Sequence, residues 1–204
     1  MKSICIWLTG LLELTSFIRY AYLLRHKRIS PTPAMWVMFT SGVGLSFLTY
    51  AFAEQHDFRS GILNTVDVAG CGATLILVLL WGARGERFDR FERWYLAAAG
   101  LVVVYWIASK DPITSNICTQ LLIGAGYIPT LRKMRRVKKN TEPFMSWTIM
   151  LLAALAGLYP AIANGNALAV VYVVRTIIMV SFMLILMAVY HFRTQRRSNA
   201  QKTD

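Results

Sequence analysis

Cysteine, histidine and acidic residues are scarce in this sequence of 204 residues. It has 10 aspartates and glutamates against 22 lysines and arginines, with three cysteines and three histidines. Cys5, Cys71 and Cys118 are far apart and lie in or near apolar segments, so they predict neither a disulfide framework nor a metal site. The histidines lack the spacing of metal ligands. We therefore expect no cofactor.

The sequence also lacks the motifs of the common enzyme classes. It has no glycine-rich phosphate loop, and no nucleophile–base pair or metal cluster falls at one depth of an apolar segment. We therefore do not expect an enzyme. The formal net charge of +12 would suggest nucleic acid in a soluble protein. Here the basic residues occupy short connections between apolar segments, where anionic lipid headgroups are sufficient partners, so no nucleic-acid partner is expected.

Apolar residues, in contrast, are abundant and come in blocks. They make up 56% of the chain, and the mean hydropathy is +0.46. About 20 helical residues cross a bilayer. The blocks predict an all-α integral membrane protein with seven spans and no separate soluble domain. We place spans 1 to 7 at about 4–24, 34–53, 62–82, 94–109, 113–131, 144–163 and 167–191. Span 1 contains Glu13 and is not expected to be a cleaved signal peptide.

Basic and poorly charged connections alternate along the chain. Basic residues follow span 1 (25–28), span 3 (84–93), span 5 (132–139) and span 7 (193–197), whereas the connections at 54–59, 110–111 and 164–166 are nearly bare. Since cytoplasmic connections are enriched in lysine and arginine, this alternation predicts an outside N-terminus and a cytoplasmic C-terminus. A plasma or inner membrane is the expected location.

Two segments of the chain resemble each other and predict an internal repeat. Span 2 opens with PAMW at 33–36 and span 6 with PFMSW at 143–147, each after a basic connection. Further on, LTYA at 48–51 aligns with LYPA at 158–161. We interpret 1–92 as a first three-helix repeat, 93–112 as a linker helix, and 113–204 as a second repeat with a tail. A single linker span makes the two repeats parallel.

The segment GYIPTLRK at 126–133, followed by NTEPFMSW at 140–147, resembles the PQ-loop and SWEET superfamily. Members have a three-plus-one-plus-three arrangement of helices, an outside N-terminus and an inside C-terminus, and the resemblance implies a transporter or, as in the related KDEL receptor, a receptor. The resemblance implies that prolines at the cytoplasmic end act as gate hinges, and Pro33, Pro129 and Pro143 match by position. Arg19 stands opposite Pro129 in the first repeat. For Pro33 and Pro143, a simple helix start is the alternative.

Three ionisable residues, Glu13, Asp67 and Arg175, lie inside spans, where such groups are costly and usually functional. In the resembled family, the third helix of each repeat presents a cavity-facing residue about four turns before an aromatic one. Counting back about four turns from Trp81 leads to Asp67. The same distance before Tyr190 leads to Thr176, the neighbour of Arg175. Asn64 and Tyr172 lie three residues earlier on the same helix faces. These five residues are the predicted substrate-binding set.

The sequence leaves the role of the charges open. Asp67 and Arg175 could form a structural salt bridge, could bind a polar solute that is charged or zwitterionic, or, with Glu13, could carry a proton. The preferred function is a transporter of a small polar metabolite. The alternative is a seven-helix receptor of the same fold that does not transport. Span 7 has no lysine for a retinal Schiff base, which argues against a photoreceptor. Homo-oligomerisation also stays open.

Overall fold

A computed structural model of the chain describes residues 1–54, 56–82 and 89–200, with side chains up to residue 193. These residues form eight α-helices and no strand, which confirms the prediction of an all-α chain. The helices are α1 (Lys2–Arg25), α2 (Pro33–Ala51), α3 (Ile62–Trp81), α4 (Arg90–Ser109), α5 (Pro112–Ala125), α6 (Ile128–Val137), α7 (Phe144–Ala163) and α8 (Ala167–Ala200). Arg84 and Arg87, used in the orientation argument, lie outside the described residues, as do the side chains of Arg196 and Arg197.

Within the described ranges, six helices are long and apolar enough to cross a membrane: α1, α2, α3, α4, α7 and the first 27 residues of α8. They coincide with expected spans 1 to 4, 6 and 7, although their ends differ by a few residues. In these segments the sequence pattern and the folded backbone agree because a helix satisfies its own backbone hydrogen bonds inside lipid.

The fifth expected span differs from the prediction of one helix at 113–131. It consists of α5 and α6, separated by a turn at Gly126 and Tyr127. Pro129 has no N–H to continue the helical ladder across this point. Gly126 also packs tightly, since a Cβ there would lie 2.7 Å from Cδ1 of Phe39. With 14 residues, α5 alone is shorter than the roughly 20 residues that cross a bilayer.

Side-chain caps fix where the helices around the linker begin. Asp89 precedes α4, and its Oδ1 accepts hydrogen bonds from the backbone N–H groups of Phe91 at 2.7 Å and Glu92 at 3.1 Å. Asp111 precedes α5, where Pro112 occupies the first turn, and its Oδ1 accepts from the N–H of Ile113 at 3.0 Å. These caps satisfy N–H groups that have no partner within the helix.

The distribution of side chains differs from that of a soluble protein, both on the outer surface and in the number of polar residues beside the apolar core. Large apolar residues stand exposed around the outside of the bundle, including Trp7, Leu101, Leu121 and Ile185. Polar residues fill much of the interior instead, and among them are Thr9, Glu13, Ser46, Thr49, Asn116 and Gln120. Soluble monomers rarely expose contiguous apolar surface of this extent. The chain is therefore a membrane-embedded protein.

Helix packing brings the charged residues of three helices toward one centre. α1 packs against α3 and α7, α2 packs against α3 and α5, and α8 packs against α7 and α5. α4 lies at the periphery, against α5 and α2. Because α3 and α8 also contact each other, Asp67 and Arg175 approach the same interior region.

Long-range contacts sort the connections into two groups. At one end, which we call the basic end, Arg132 forms an ion pair with Asp89 at 3.0 Å, and Nζ of Lys133 donates to Oγ of Ser30 at 3.4 Å. At the opposite end, Nδ2 of Asn164 donates to Oδ2 of Asp57 at 2.9 Å. The connection at 26–32, the start of α4 and α6, which leads into the connection at 138–143, thus share the basic end, and the connections at 52–61 and 164–166 share the opposite end.

Candidate functional site

A small cavity lies at the centre of the bundle, and we call it the central cavity. Asp67 and Cys71 of α3 line it together with Arg175 and Thr176 of α8. The rest of its wall is aromatic or apolar, formed by Trp36, Phe39, Val43, Ile123, Tyr127, Trp147 and Met150. Only about 20 Å³ is open to the centres of water molecules, which is room for about one water. The cavity is therefore small, with four polar or ionisable side chains in a mainly aromatic and apolar wall.

Tyr172 connects the two charged residues of the cavity. Its hydroxyl donates a hydrogen bond of 2.5 Å to Oδ2 of Asp67, within the range of a charge-assisted bond. The guanidinium of Arg175 lies over the ring of the same tyrosine, 4.5 Å from its centroid, in a cation–π arrangement. One buried side chain on α8 thus contacts both the acid of α3 and the base of α8.

Arg175 does not form an ion pair with Asp67. Its Nε donates to Oε1 of Gln120 at 3.2 Å, and Asp67 takes its hydrogen bond from Tyr172. Nη2 of Arg175 is buried and has no hydrogen-bond partner in the described part of the chain. The geometry therefore does not contain the direct salt bridge that the sequence left open, and it leaves a guanidinium donor unused at the cavity wall.

A network of side-chain amides and hydroxyls lies beside the central cavity. Its two residues on α5, Asn116 and Gln120, were not among the predicted site residues. Nδ2 of Asn116 donates to the carbonyl oxygen of Ser46 at 2.9 Å and to Oγ1 of Thr49 at 3.0 Å. Nε2 of Gln120 donates to Oγ of Ser46 at 2.9 Å. The signal available in the sequence was two amides one helical turn apart in an apolar span, a spacing that puts both on one face.

The five predicted substrate-binding residues all reach this region, but in different roles. Asp67 and Arg175 line the central cavity, and Tyr172 touches both. Asn64 does not line the cavity: its Nδ2 donates to Oγ of Ser46 at 3.3 Å, within the amide network. Glu13 is fully buried on α1, with its carboxyl group beside that of Asp67.

The opposite end of the bundle is closed by hydrogen bonds between connections distant in sequence. Oη of Tyr50 accepts from Nδ2 of Asn166 at 2.9 Å and donates to the carbonyl oxygen of Asp57 at 2.7 Å. Asn164 donates to the Asp57 carboxylate and also contacts Ser60. These bonds tie the α2–α3 connection to the α7–α8 connection.

The basic end is closed around the carboxyl group of Glu142, just before α7. Tyr20 of α1 donates to Oε2 of Glu142 at 2.9 Å, and Nε1 of Trp147 donates to the same oxygen at 3.3 Å. Trp36 of α2 donates to Tyr20 at 3.2 Å. Burial raises the pKa of Glu142 to about 7, although the bonds from Tyr20 and Trp147 and the charge of Lys133 act in the opposite direction.

The predicted hinge residues occupy simpler positions. Pro33 opens α2, and Pro143 is the extended residue just before α7, so both mark helix starts. Pro129 lies in the first turn of α6, immediately after the break, and Arg19 is exposed on α1. The hinge role of these residues stays a prediction.

No group of three or more histidine, cysteine, aspartate or glutamate side chains in the described ranges could hold a metal ion.

In comparisons with known proteins, no family model, curated protein or solved structure matches the chain. Its function is therefore argued from the cavity and the contacts around it.

Proposed function

We propose that this membrane protein is a transporter that moves a small polar metabolite by alternating access through the central cavity. The observation that carries the proposal is a buried guanidinium donor without a partner, Nη2 of Arg175, in a residue that lines the cavity. Hydrogen bonds between distant connections close the bundle on both sides of it. A buried donor without a partner is costly, and a solute that accepts its hydrogen bond would remove that cost.

The pattern of helix contacts supports two parallel three-helix units, 1–92 and 113–204, with 93–112 as the linker. In this comparison of the two units, α1 corresponds to α5 with α6, α2 corresponds to α7, and α3 corresponds to α8. The first helix of each unit then packs against the second helix of the other unit, as α1 does against α7 and α5 does against α2. Within each unit the third helix packs against the other two. In this reading, α5 and α6 together form the fifth of seven crossings, which gives the three-plus-one-plus-three arrangement of the PQ-loop and SWEET superfamily.

We assign the basic end to the cytoplasm. Arg132 and Lys133 of α6 contact Asp89 and Ser30 at this end, and α6 and the connections on either side of it in space, at 26–32 and 138–143, are rich in lysine and arginine, as cytoplasmic connections generally are. This orientation puts the N-terminus outside and the C-terminus inside a plasma or inner membrane. Anionic headgroups of the cytoplasmic leaflet would then contact the basic residues of α6.

The hydrogen bonds at the two ends would act as gates. At the opposite end they join Tyr50 to Asn166 and Asp57 to Asn164; at the basic end they join Tyr20 to Glu142. Each of these pairs links the first unit to the second. A hydrogen bond contributes about 1 kcal/mol net, so opening one end costs only a few kcal/mol, which solute binding can supply.

The chemistry of the cavity favours a solute with an anionic group. The planar guanidinium of Arg175 presents donors suited to a carboxylate or phosphate. Asp67 could accept from an amine or hydroxyl on the same solute, in exchange for the hydroxyl of Tyr172. A zwitterion would satisfy both side chains, whereas a neutral sugar would offer Nη2 of Arg175 no charged acceptor.

The test begins with thermal stabilisation of the purified protein by a panel of amino acids, carboxylates and phosphorylated metabolites. We expect one class to stabilise wild type, to lose its effect with Arg175→Gln and to keep part of it with Arg175→Lys. Asp67→Asn serves as the second cavity variant. Counterflow of the stabilising compound into proteoliposomes then tests transport. Binding without any counterflow would contradict transport and favour the receptor alternative.

A further inference from the structure

Two carboxyl groups meet beside the central cavity. Glu13, near the middle of α1, is 0% exposed, and Asp67 of α3 is 7% exposed. The two side chains interact where α1 packs against α3. Asp67 also accepts from Tyr172, but no N–H or O–H group of the described residues donates to either oxygen of Glu13. Glu13 therefore has a second carboxyl group as its polar neighbour.

This contact requires a proton. Two ionised carboxylates are both acceptors and cannot form a hydrogen bond, and their charges repel each other. A buried ionised carboxylate without donors is so costly that such a group takes up a proton instead. With one proton shared, one carboxyl group donates to the other, and the pair carries a single negative charge.

The surroundings of Glu13 offer one compensating positive charge. The charge of Glu13 reaches Asp67 and Cys71 of α3 and Tyr127 in the turn before α6, whereas Tyr172 and Arg175 of α8 act on Asp67. α7, which packs along α1, carries no charged side chain, and its one titratable residue, Tyr159, is 45% exposed.

On α1 itself, Arg19 is exposed and Tyr20 is bound to Glu142. Arg175 is thus the single base in this group, and its charge acts on Asp67. One base and two acids balance when one of the acids is protonated.

We propose that the Glu13–Asp67 pair is a proton-binding site that couples solute movement to proton movement. Glu13 holds the proton and donates it to Asp67 while the cavity is closed. Since Asp67 lines the cavity and Glu13 does not, the proton leaves to water through Asp67 when the cavity opens. The coupling rests on the proposed transport function, whereas the proton site itself does not.

Infrared spectroscopy tests the proton site without any transport assay. A background with Glu92→Gln and Glu142→Gln removes the other two buried acids of the described residues, and at about pH 8 exposed carboxyl groups are ionised. We expect a carboxylic-acid C=O band that shifts in D₂O. It should disappear with Glu13→Gln, whose amide N–H can donate to Asp67, and it should remain, at a changed frequency, with Asp67→Asn. Absence of the band in the background protein, or an unchanged band with Glu13→Gln, would overturn the proposal.

Coupling is tested in proteoliposomes that contain a pH-sensitive dye, with an inward gradient of the mixed proteinogenic amino acids as the probe. For wild type, we expect the lumen to acidify in proportion to the uptake of radiolabelled amino acid. For Glu13→Gln, we expect the acidification that accompanies each molecule taken up to fall to the level of liposomes without protein. Uptake by wild type without acidification would overturn the coupling. If uptake and acidification are both missing, the proposed transport of this solute class fails, and the infrared result alone decides the proton site.

Discussion

The hydroxyl of Tyr172 donates to Asp67 at 2.5 Å, while the ring of the same residue lies 4.5 Å from the guanidinium carbon of Arg175. The two charges therefore interact through a tyrosine that contacts each of them in a different way. In a direct ion pair, the carboxyl group of Asp67 and the guanidinium of Arg175 would satisfy each other. This arrangement satisfies one oxygen of Asp67 and leaves Nη2 of Arg175 without a partner.

Replacing Tyr172 by phenylalanine should separate these two contacts. Tyr172→Phe removes the hydrogen bond to Asp67 but keeps the ring under Arg175. We expect a loss of about 1–3 kcal/mol in stability, because a buried carboxyl group loses its donor. Thermal unfolding in detergent measures the effect. The control is Tyr159→Phe, on the exposed face of α7, which should leave the melting temperature within error. Equal melting temperatures for Tyr172→Phe and wild type would contradict the bond.

The amide of Asn116 should contribute to stability in the same way. Asn116→Ala removes the donor to the carbonyl oxygen of Ser46 and to Oγ1 of Thr49, both of which are buried. We expect a loss of about 1–2 kcal/mol, read as a lower melting temperature. Ile117→Ala, one residue further along and 46% exposed, is the matched control and should have a smaller effect. A reversed order would mean that the amide network contributes little.

Glu142 should make stability depend on pH. Its pKa in the folded protein is about 7, against an ordinary value of 4.5, so between these values the folded state keeps a proton that the unfolded state has lost. Stability should therefore decline as the pH rises from about 4.5 to about 7, by about 3 kcal/mol at most, and should level off above that range.

Glu142→Gln is the variant that isolates this effect, because glutamine can still accept the hydrogen bonds from Tyr20 and Trp147. The difference in melting temperature between wild type and Glu142→Gln, measured from pH 4 to 9, removes contributions from other groups. We expect wild type to lose stability relative to the variant across this window. A constant difference would show that Glu142 ionises with an ordinary pKa.

The orientation can be tested with single cysteines at the two ends of the bundle. Lys139→Cys lies in the connection before α7, and Lys110→Cys lies between α4 and α5. In a background without Cys5, Cys71 and Cys118, an impermeant maleimide should label Lys110→Cys in intact cells and should label Lys139→Cys only after lysis. The reverse pattern would invert the assigned topology.

The sequence alone determined the helical, membrane-embedded character of the chain and the positions of six spans. These follow from local physics: a block of about 20 apolar residues can satisfy its backbone in lipid only as a helix. The three ionisable residues inside the spans, Glu13, Asp67 and Arg175, could also be selected from the sequence, because an ionisable residue inside an apolar block is conspicuous without knowledge of its neighbours.

Only the tertiary structure decided which groups these charges meet. Arg175 donates to Gln120, 55 residues away, and Tyr20 donates to Glu142, 122 residues away. Such pairs depend on the rotation and depth of each helix against its neighbours, which a hydropathy pattern does not encode. The break at Gly126 belongs to the same category, since the approach of Phe39 from another helix helps to set it. Local composition therefore determined the spans, and packing between helices determined the site.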